Sequence, residues 1–268
     1  MELEYAALSE QGPVRENNED FLAHASPPDS ENGLSKGWLF TVADGVGGNR
    51  AGEVASQQAS QKLIEIYYNL SRPPEKALRD AFKQANLHVC DMGHTNPEYL
   101  RMETTLSAIG LIANQLYIGH IGDSRIYRVR DQEIVQLTSD HSEVGELVRM
   151  RLITAEEARH HPRRNIITRS IGSDLLVQVD FRSDPIQVGD TFVLCTDGLW
   201  EPVEDSDMVA AINQYTASEA CRQMVDLALA RGTADNLSIQ VIKVVKLDDN
   251  MPVFAERKNG LFKRLFGA

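Results

Sequence analysis

The chain has 268 residues, of which 42% are hydrophobic and 25% are charged, so it is long enough to bury a sizeable core. This composition is that of a globular protein, and the formal charge of −12 argues against a protein that coats nucleic acid. The three cysteines, Cys90, Cys195 and Cys221, form no CxxC pair, which excludes a disulfide framework or zinc knuckle and favours a reducing compartment. Because we find no signal peptide and no apolar run of membrane-spanning length, we expect a cytoplasmic protein.

The N-terminal part of the chain alternates short strands with polar loops. A first strand is predicted over residues 3–8, and a charge-dense run follows from Arg15 to Asp20. Taken alone, such a run is a solvated loop, and it lacks the spacing of an EF-hand. A surface loop over residues 26–36 then leads to an apolar strand over residues 38–43.

That strand runs into Asp44-Gly45-Val46-Gly47-Gly48, which does not have the spacing of a nucleotide-binding loop. The Walker pattern needs Gly-Lys-Ser/Thr, and Arg50 stands where a Rossmann motif needs its third glycine. We therefore expect the glycines to permit close backbone packing beside Asp44, or to let the Gly45 carbonyl face a ligand. Helical spacing of apolar residues then predicts two helices, the second of which begins at Pro73-Pro74.

From Thr104 onwards the apolar pattern is that of strands. Four short strands are predicted, at residues 105–112, 115–121, 124–129 and 133–137. Their links are only a few residues long, which predicts an antiparallel meander. Asp123 lies in one of these turns, where an aspartate is common for purely structural reasons.

Residues 142–173 have the pattern of a mobile insert between strands. A helix is predicted from Glu143 to Arg151, and Thr154-Ala155-Glu156-Glu157 is a capping box for a second short helix. A strand is then predicted over residues 176–181, and the apolar run that starts at Val193 stops at Asp197-Gly198.

Two more helices and a strand complete the pattern. One helix is predicted near residues 207–215, and a second is capped by Thr216 and ended by Gly232. The last strand covers residues 237–245 and follows directly on Asp235. Residues 1–246 thus form one predicted domain, and residues 247–268 differ in composition. We interpret them as a frayed terminus, with an amphipathic anchor for a membrane surface or partner as the weaker alternative.

Carboxylates recur at predicted strand ends and turns throughout the domain. They are Asp20 (with Glu19 beside it), Asp44, Asp123, Asp197 and Asp235. Each has a structural explanation when it is considered alone. Should they converge, however, their repulsion in a low-dielectric site requires a cation, and an all-oxygen set suits Mg²⁺ or Mn²⁺.

Seven short motifs occur in the order and spacing of one known family. They are Arg15 to Asp20, Asp44 to Gly48, Thr104-Thr105-Leu106, Gly122-Asp123-Ser124-Arg125, Leu137 to Ser142, Cys195 to Leu199 and Ala234 to Ser238. Over residues 5–245 the chain resembles the metal-dependent type 2C serine/threonine protein phosphatases, and the compact bacterial members most.

The resemblance implies an α+β fold, namely a four-layer α-β-β-α sandwich of two mostly antiparallel sheets flanked by helix pairs. It also implies a set of metal ligands, which are Asp20, Asp44, Gly45, Asp123, Asp197 and Asp235. In that set, Asp44 would bridge two ions, the Gly45 carbonyl would bind one of them, and a possible third ion would lie at Asp123. Arg15 would bind the substrate phosphate, and residues 142–173 would form the flap beside it.

Two positions depart from the family pattern. Val46 stands where animal members carry a histidine thought to protonate the leaving alkoxide, which leaves that proton donor unassigned. Arg151 stands where bacterial relatives usually have glycine, which affects the local conformation of the flap.

The resulting hypothesis is a monomeric enzyme that hydrolyses phosphoserine and phosphothreonine in proteins by direct attack of water activated by two metal ions. Its substrates would be targets of a serine/threonine kinase. Arg163, Arg164 and Arg169 could meet acidic segments of such substrates, although a solvated face explains them as well. Two alternatives remain open: a partner-binding scaffold without turnover, and a hydrolase of small phosphate esters.

Overall fold

A computed structural model describes residues 1–27, 36–46 and 51–247 of the chain. The strands in these ranges are β1 Glu2–Glu10, β2 Asp20–Ala25, β3 Trp38–Val46, β4 Glu103–Thr104, β5 Leu106–Ile112, β6 Gln115–Ile121, β7 Arg125–Arg130, β8 Glu133–Gln136, β9 Asp180–Pro185, β10 Thr191–Cys195 and β11 Leu237–Lys246. The helices are α1 Ala51–Asn69, α2 Pro74–Thr95, α3 Glu143–Arg149, α4 Ala155–Arg159, α5 Asp197–Trp200, α6 Asp205–Gln214 and α7 Ala217–Ala230.

The strands form two sheets whose neighbours are all antiparallel. The first sheet has the order β1-β11-β10-β7-β8, and the second has the order β2-β3-β5-β6-β9 with β4 added to β3. The predicted meander is present, but it divides between the sheets, because β5 and β6 belong to the second and β7 and β8 to the first.

Three apolar layers hold these elements together. Phe40 and Ile109 of the second sheet pack against Phe192 of the first, which makes the layer between the sheets. Helices α1 and α2 cover the outer face of the second sheet, and helices α5 to α7 cover that of the first. Each sheet thus buries both faces, which gives helix, sheet, sheet and helix in succession and confirms the predicted α+β four-layer sandwich.

Helix ends follow the predicted chemistry closely. Thr154 and Thr216 each accept a hydrogen bond from the third residue of their helix, and a glutamate at that position bonds back to the threonine amide. Helix α2 starts at Pro74, as its two prolines predicted. Gly232 adopts φ +84°, the left-handed conformation expected just beyond the end of α7.

The prediction that the strand before Asp44 ends there was wrong. Strand β3 continues through Gly45 to Val46, because these two residues pair with Thr104 and Glu103 of β4. The strand predicted over residues 105–112 is β5, which starts one residue later, and the short strand β4 before it was not predicted. Asp44 therefore lies inside a strand. It pairs with Asp20 of β2 on one side, and on the other its amide and carbonyl bond to the Thr105 hydroxyl and amide.

Two further strands differ from the prediction. Strand β2 was not predicted, because its start lies in a charged run that resembles a loop, yet it pairs with β3 along its whole length. The strand predicted over residues 176–181 is instead β9, Asp180–Pro185. The apolar pair Leu175-Leu176 suggested an earlier start, but both side chains are exposed, and pairing with β6 sets the position of β9.

The insert over residues 142–173 contains helices α3 and α4 and is closed at its base by two isolated bridges. Ser142 pairs with Ile167, and Ile171 pairs with Thr104 of β4. The flap therefore begins and ends beside the same edge of the molecule. Residues 28–35, 47–50 and 248–268 lie outside the described residues, and so do the predicted amphipathic anchor and Gly47-Gly48 of the glycine-rich motif. In the ranges that are described, no helix combines the length and the apolar character needed to cross a bilayer.

Arg151 occupies an unusual backbone position at the end of α3. Its φ is +58°, and the Arg151 amide bonds to the Val148 carbonyl while the Leu152 amide bonds to the Leu147 carbonyl, both at 2.9 Å. These two bonds define a Schellman motif, whose left-handed residue is usually glycine because a Cβ there costs about 1–2 kcal/mol. The geometry of this helix end thus favours glycine, the residue that the family resemblance leads us to expect at this position.

We predict that Arg151→Gly is more stable to urea than Arg151→Ala by about 1 kcal/mol. Both variants remove the guanidinium group, but only glycine relieves the left-handed strain, so the difference isolates the backbone effect. Equilibrium unfolding followed by tryptophan fluorescence measures it. Equal stability of the two variants would show that Arg151 does not hold this conformation in solution.

Candidate metal centre

Asp20 and Asp44 are brought together by the pairing of β2 with β3. They are directly opposite each other in the register of the two strands, and Asp20 is 8% exposed. The Thr196 hydroxyl donates to Asp20 Oδ2 at 2.9 Å and accepts from the Ser238 amide at 3.0 Å. A threonine at the end of β10 thus links an aspartate of the second sheet to β11 of the first.

Asp197 and Asp235 come from the first sheet. Asp197 is the first residue of α5 and is separated from β10 by Thr196 alone, and Asp235 is separated from β11 by Asn236 alone. The backbone of Gly198, next to Asp197, packs directly against the backbone of Asn236, next to Asp235. A Cβ on Gly198 would lie 2.0 Å from the Asn236 carbonyl oxygen, so only glycine allows the two aspartates to come this close.

Asp123 lies in the turn between β6 and β7 and is 4% exposed. The Trp200 indole, at the end of α5, donates its Nε1 hydrogen to the Asp123 carbonyl at 3.0 Å. Since α5 begins with Asp197, this bond fixes the turn of Asp123 relative to Asp197.

The loop that carries Arg15 and Glu19 is bound to the same end of the sandwich. Arg15 Nη2 donates to Asp235 Oδ2 at 2.6 Å, and the Arg15 side chain is half exposed. The Glu19 amide donates to Asn236 Oδ1 at 2.9 Å, and the Glu19 carbonyl accepts from the Gly45 amide at 3.1 Å. Arg15 and Glu19 are therefore both bonded to the turn before β11, and Glu19 is also bonded to β3.

The five aspartates lie within electrostatic reach of one another. Burial raises the pKa of Asp44 well above its ordinary value, and the charges of the other four, Asp20, Asp197, Asp123 and Asp235, raise it further. The structure therefore brings together the aspartates that the sequence singled out, although they are spread over more than two hundred positions of the chain.

Burial likewise raises the pKa of Asp20 and of Asp197, each to about 7. Hydrogen bonds from Ser238 and Thr196 lower the pKa of Asp20 and so oppose part of this effect. The charge of Asp235 raises the pKa of Asp197 further. Burial and the charge of Asp197 raise the pKa of Asp123 well above its ordinary value. Without a cation, this end of the molecule therefore holds protons near neutral pH.

A comparison of the sequence with family models gives one match, to protein phosphatase 2C, over residues 6–237. The chain belongs to the protein phosphatase 2C family. The sequence prediction of a type 2C phosphatase is thereby confirmed.

Named relatives and solved structures agree with this membership. The chain is 36% identical over 262 residues to the serine/threonine protein phosphatase PstP of Mycobacterium tuberculosis, covering 96% of this chain and 48% of PstP. It is 32% identical over 251 residues to the protein phosphatase PhpP of Streptococcus pneumoniae, covering 92% and 99% of the two chains. It spans about half of PstP and nearly all of PhpP.

Among solved structures, the fold superposes on serine/threonine phosphatase Stp1 of Staphylococcus aureus with a TM-score of 0.84 and 30% identity, over 92% of this chain and 96% of that one. It also matches the catalytic domain of PstP in complex with two manganese ions, with a TM-score of 0.79 and 34% identity, over 91% and 99% of the chains. The first of these matches covers nearly the whole described sandwich, and the second shows a structure of this fold with divalent ions.

The donor chemistry of this protein phosphatase 2C site fits hard divalent ions. Within the described ranges, Asp20 Oδ1 and Asp197 Oδ1 are buried and have no hydrogen-bond partner, which leaves two carboxyl oxygens unsatisfied. In the same ranges, no group of three or more histidine, cysteine, aspartate or glutamate side chains lies close enough together to hold one metal ion. The carboxylates are thus neighbours at electrostatic range, and their roles as ligands stay predictions.

The sequence analysis missed several residues that arrange this protein phosphatase 2C site. Thr196 and Asn236 were read only as parts of motifs, yet Thr196 holds Asp20 and Asn236 holds Glu19. Asn236 also donates its Nδ2 hydrogen to the Asn17 carbonyl at 3.0 Å. Their position next to Asp197 and Asp235 was the available signal, but their partners lie far away in sequence and appear only in the fold.

We predict that the metal-free protein becomes less stable as the pH rises from about 4 to about 7. Asp20 and Asp197 have folded-state pKa values of about 7, above the unfolded value of about 4, so the folded state binds these protons more tightly and loses that advantage as they leave. In EDTA at pH 8, Asp197→Asn should therefore be more stable than wild type, on the order of 2 kcal/mol, since one pKa unit corresponds to about 1.4 kcal/mol.

Thermal unfolding at pH 5 and pH 8 measures this difference, and the exposed Asp226→Asn in α7 is the matched control. Addition of Mn²⁺ should reverse the order, because wild type then gains more stability than Asp197→Asn. A wild-type protein that is equally stable in EDTA at both pH values would contradict the charge repulsion inferred here.

Proposed function

We propose that this protein hydrolyses phosphoserine and phosphothreonine in proteins, with two divalent ions, Mn²⁺ or Mg²⁺, held by its buried aspartates. The observation that carries the proposal is the convergence of five aspartates, two of which have unpartnered buried oxygens, at one end of a protein phosphatase 2C fold. Similarity to PstP and PhpP supports a phosphoprotein as substrate.

Asp44 is central to the proposed ligand set because its carboxyl is influenced by all four other aspartates. It would hold both ions, with the Gly45 carbonyl serving one and Asp197 and Asp235 serving the other. Bound divalent ions lower the pKa of a water molecule and offset the negative charge of the phosphoryl oxygens. Asp20, fixed by the Thr196 hydroxyl, would complete the shell, and Asp123 would hold a possible third ion.

Arg15 is suited to bind the substrate phosphate. Its guanidinium is half exposed, and one of its five N–H groups is donated to Asp235. The remaining donors form a planar fork that can bond two phosphate oxygens. The hydrogen bond to Asp235 raises the pKa of Arg15, and the charges of Asp235, Asp44 and Glu19 raise it further, so it stays cationic. The ion pair with Asp235 also sets Arg15 directly beside the proposed ions.

The leaving alkoxide does not receive its proton from a histidine at the end of β3, where Val46 stands with an exposed side chain. The nearby histidines His120 and His141 are fully buried, and the ring nitrogens of both are bonded to protein groups. They are therefore not free to reach a substrate, and we assign the proton to solvent water. We also propose that the enzyme acts as a monomer and opposes a serine/threonine kinase.

We predict that the 268-residue chain releases phosphate from a phosphothreonine peptide with Mn²⁺ and loses this activity in EDTA. Asp197→Asn should lower the rate by at least about 100-fold, because it removes a ligand charge from the ions. Asp226→Asn, which changes an exposed aspartate on α7, should retain wild-type activity. Phosphate release measured with malachite green tests all three proteins.

The same assay separates the alternatives. Turnover of p-nitrophenyl phosphate without turnover of any phosphopeptide would point to small phosphate esters as the substrates. Mn²⁺ binding without turnover of either substrate would identify a partner-binding scaffold instead of an enzyme.

We predict that Arg15→Lys lowers kcat/KM for the phosphopeptide by about 10- to 100-fold while binding of Mn²⁺ changes little. A lysine keeps the charge but cannot form two parallel bonds to phosphate, and a charge-assisted hydrogen bond contributes about 1.5–3 kcal/mol. Arg222→Lys, which changes an exposed arginine paired with Glu10, is the control. An unchanged kcat/KM in Arg15→Lys would exclude Arg15 as the phosphate ligand.

A further inference from the structure

We propose that His141 is a positioning residue that holds the turn of Asp123 and ties it to the base of the flap. The inference rests on the proposed function in one respect, namely that Asp123 binds a metal ion. The position of the Asp123 turn itself can be measured without turnover. His141 is completely buried, although it lies directly before the first residue of the flap.

His141 satisfies both backbone groups of the residue before Asp123. The His141 amide donates to the Gly122 carbonyl at 2.8 Å, and the Gly122 amide donates to His141 Nδ1 at 3.1 Å. Gly122 has φ +108°, and a Cβ there would lie 2.5 Å from the Thr105 side chain. The turn is therefore enclosed between Thr105 on one side and His141 on the other.

The donor at Gly122 fixes the ring tautomer of His141. Because Nδ1 accepts a hydrogen bond, the proton of the neutral ring is on Nε2. Nε2 lies 3.2 Å from Asp180 Oδ2 and also 3.2 Å from Arg169 Nη1. Because a guanidinium only donates, Asp180 Oδ2 accepts the Nε2 proton, and Arg169 Nη1 donates to the other oxygen of Asp180 at 3.4 Å. Strand β9 and the flap arginine thus orient the ring so that Nδ1 faces Gly122.

The flap is joined to His141 at both of its ends. The His141 carbonyl accepts from the Thr168 amide at 2.7 Å, where the flap returns to the body. The next residue, Ser142, caps helix α3 by accepting from the Gly145 amide at 3.1 Å, and it pairs with Ile167. A displacement of the flap base would therefore act on the same residue that orients Gly122.

A buried hydrogen-bond chain continues from the turn to Asp44. The Thr105 and Ser124 hydroxyls are 2.7 Å apart, and the Asp44 amide donates to the Thr105 hydroxyl at 2.9 Å. Ser124 follows Asp123 directly, so the turn held by His141 is also bonded to the strand of the central aspartate. In such a buried network, the loss of one partner leaves others unsatisfied, which makes the geometry sensitive to His141.

Two nearly isosteric variants separate positioning from simple core packing. In His141→Asn, the amide oxygen can replace Nδ1 as the acceptor for Gly122, whereas the bond to Asp180 is lost. In His141→Gln, the amide nitrogen can replace Nε2 toward Asp180, whereas the acceptor for Gly122 is lost. Both variants remove part of a buried ring, and the exposed His160→Asn is the control for the flap surface.

We expect hydrogen exchange at the Gly122 amide, measured by NMR, to accelerate at least tenfold in His141→Gln and to stay near wild type in His141→Asn. Calorimetric titration with Mn²⁺ should show about tenfold weaker binding of the weakest ion in His141→Gln, the range typical of residues that orient ligands. In an Asp123→Asn background, His141→Gln should add no further loss of Mn²⁺ binding, because both changes act on one site.

Equal effects of the two variants on Gly122 exchange, in proportion to their losses of thermal stability, would show that His141 only fills the core. Should both variants fail to fold, ring ¹⁵N shifts of the wild-type protein decide, since protonation at Nδ1 would overturn the proposal. These measurements need no substrate, so an inactive enzyme with the expected exchange pattern would refute the phosphatase reaction and leave the positioning role intact.

Discussion

Mutual repulsion among buried carboxylates is the constraint on which the rest of this structure depends. Asp44 lies in a strand between Asp20 and the aspartates of the first sheet, and burial alone already disfavours its charge. Such an arrangement forms only if packing elsewhere compensates for it. Three apolar layers supply that compensation, and two divalent cations would convert the repulsion into attraction. The carboxylate end of the sandwich therefore opposes folding when no cation is bound and its carboxylates are ionised.

Close backbone contacts give this end its shape. A Cβ on Gly12 would lie 2.0 Å from the Asp235 carbonyl oxygen, and a Cβ on Gly198 would lie 2.0 Å from the Asn236 carbonyl oxygen. A Cβ on Gly45 would lie 2.1 Å from the Gly52 carbonyl oxygen. Glycine at these positions lets segments from different parts of the chain pack against one another without side chains between them. The Asp-Gly and Gly-Pro pairs that look like simple turns in the sequence therefore serve long-range packing.

Local chemistry was predictable from the sequence, and long-range pairing was not. The caps at Thr154 and Thr216 need only neighbouring residues, so their motifs sufficed. Strand β2 depends on pairing with β3, and the charged residues before it conceal its start. The aspartates were recognisable as a set only through the order of their motifs, since each has a local explanation as a turn residue. Thr196 and Asn236 carried no separate signal, because their partners are about 180 and 220 positions away.

The ion pair between Arg15 and Asp235 shows how closely the two proposed tasks of the site are connected. The cation that would bind phosphate here neutralises an aspartate that would bind an ion, and the pair is partly exposed. If an ion took over the charge of Asp235, the hold of that carboxylate on Arg15 would weaken and the guanidinium would become available to an incoming phosphate. Ion binding and phosphate binding would then favour each other through one residue pair, without any movement of the sheets. On the proposed function, the end of the sandwich that repels itself when metal-free would become complementary to a phosphorylated substrate once its ions are bound.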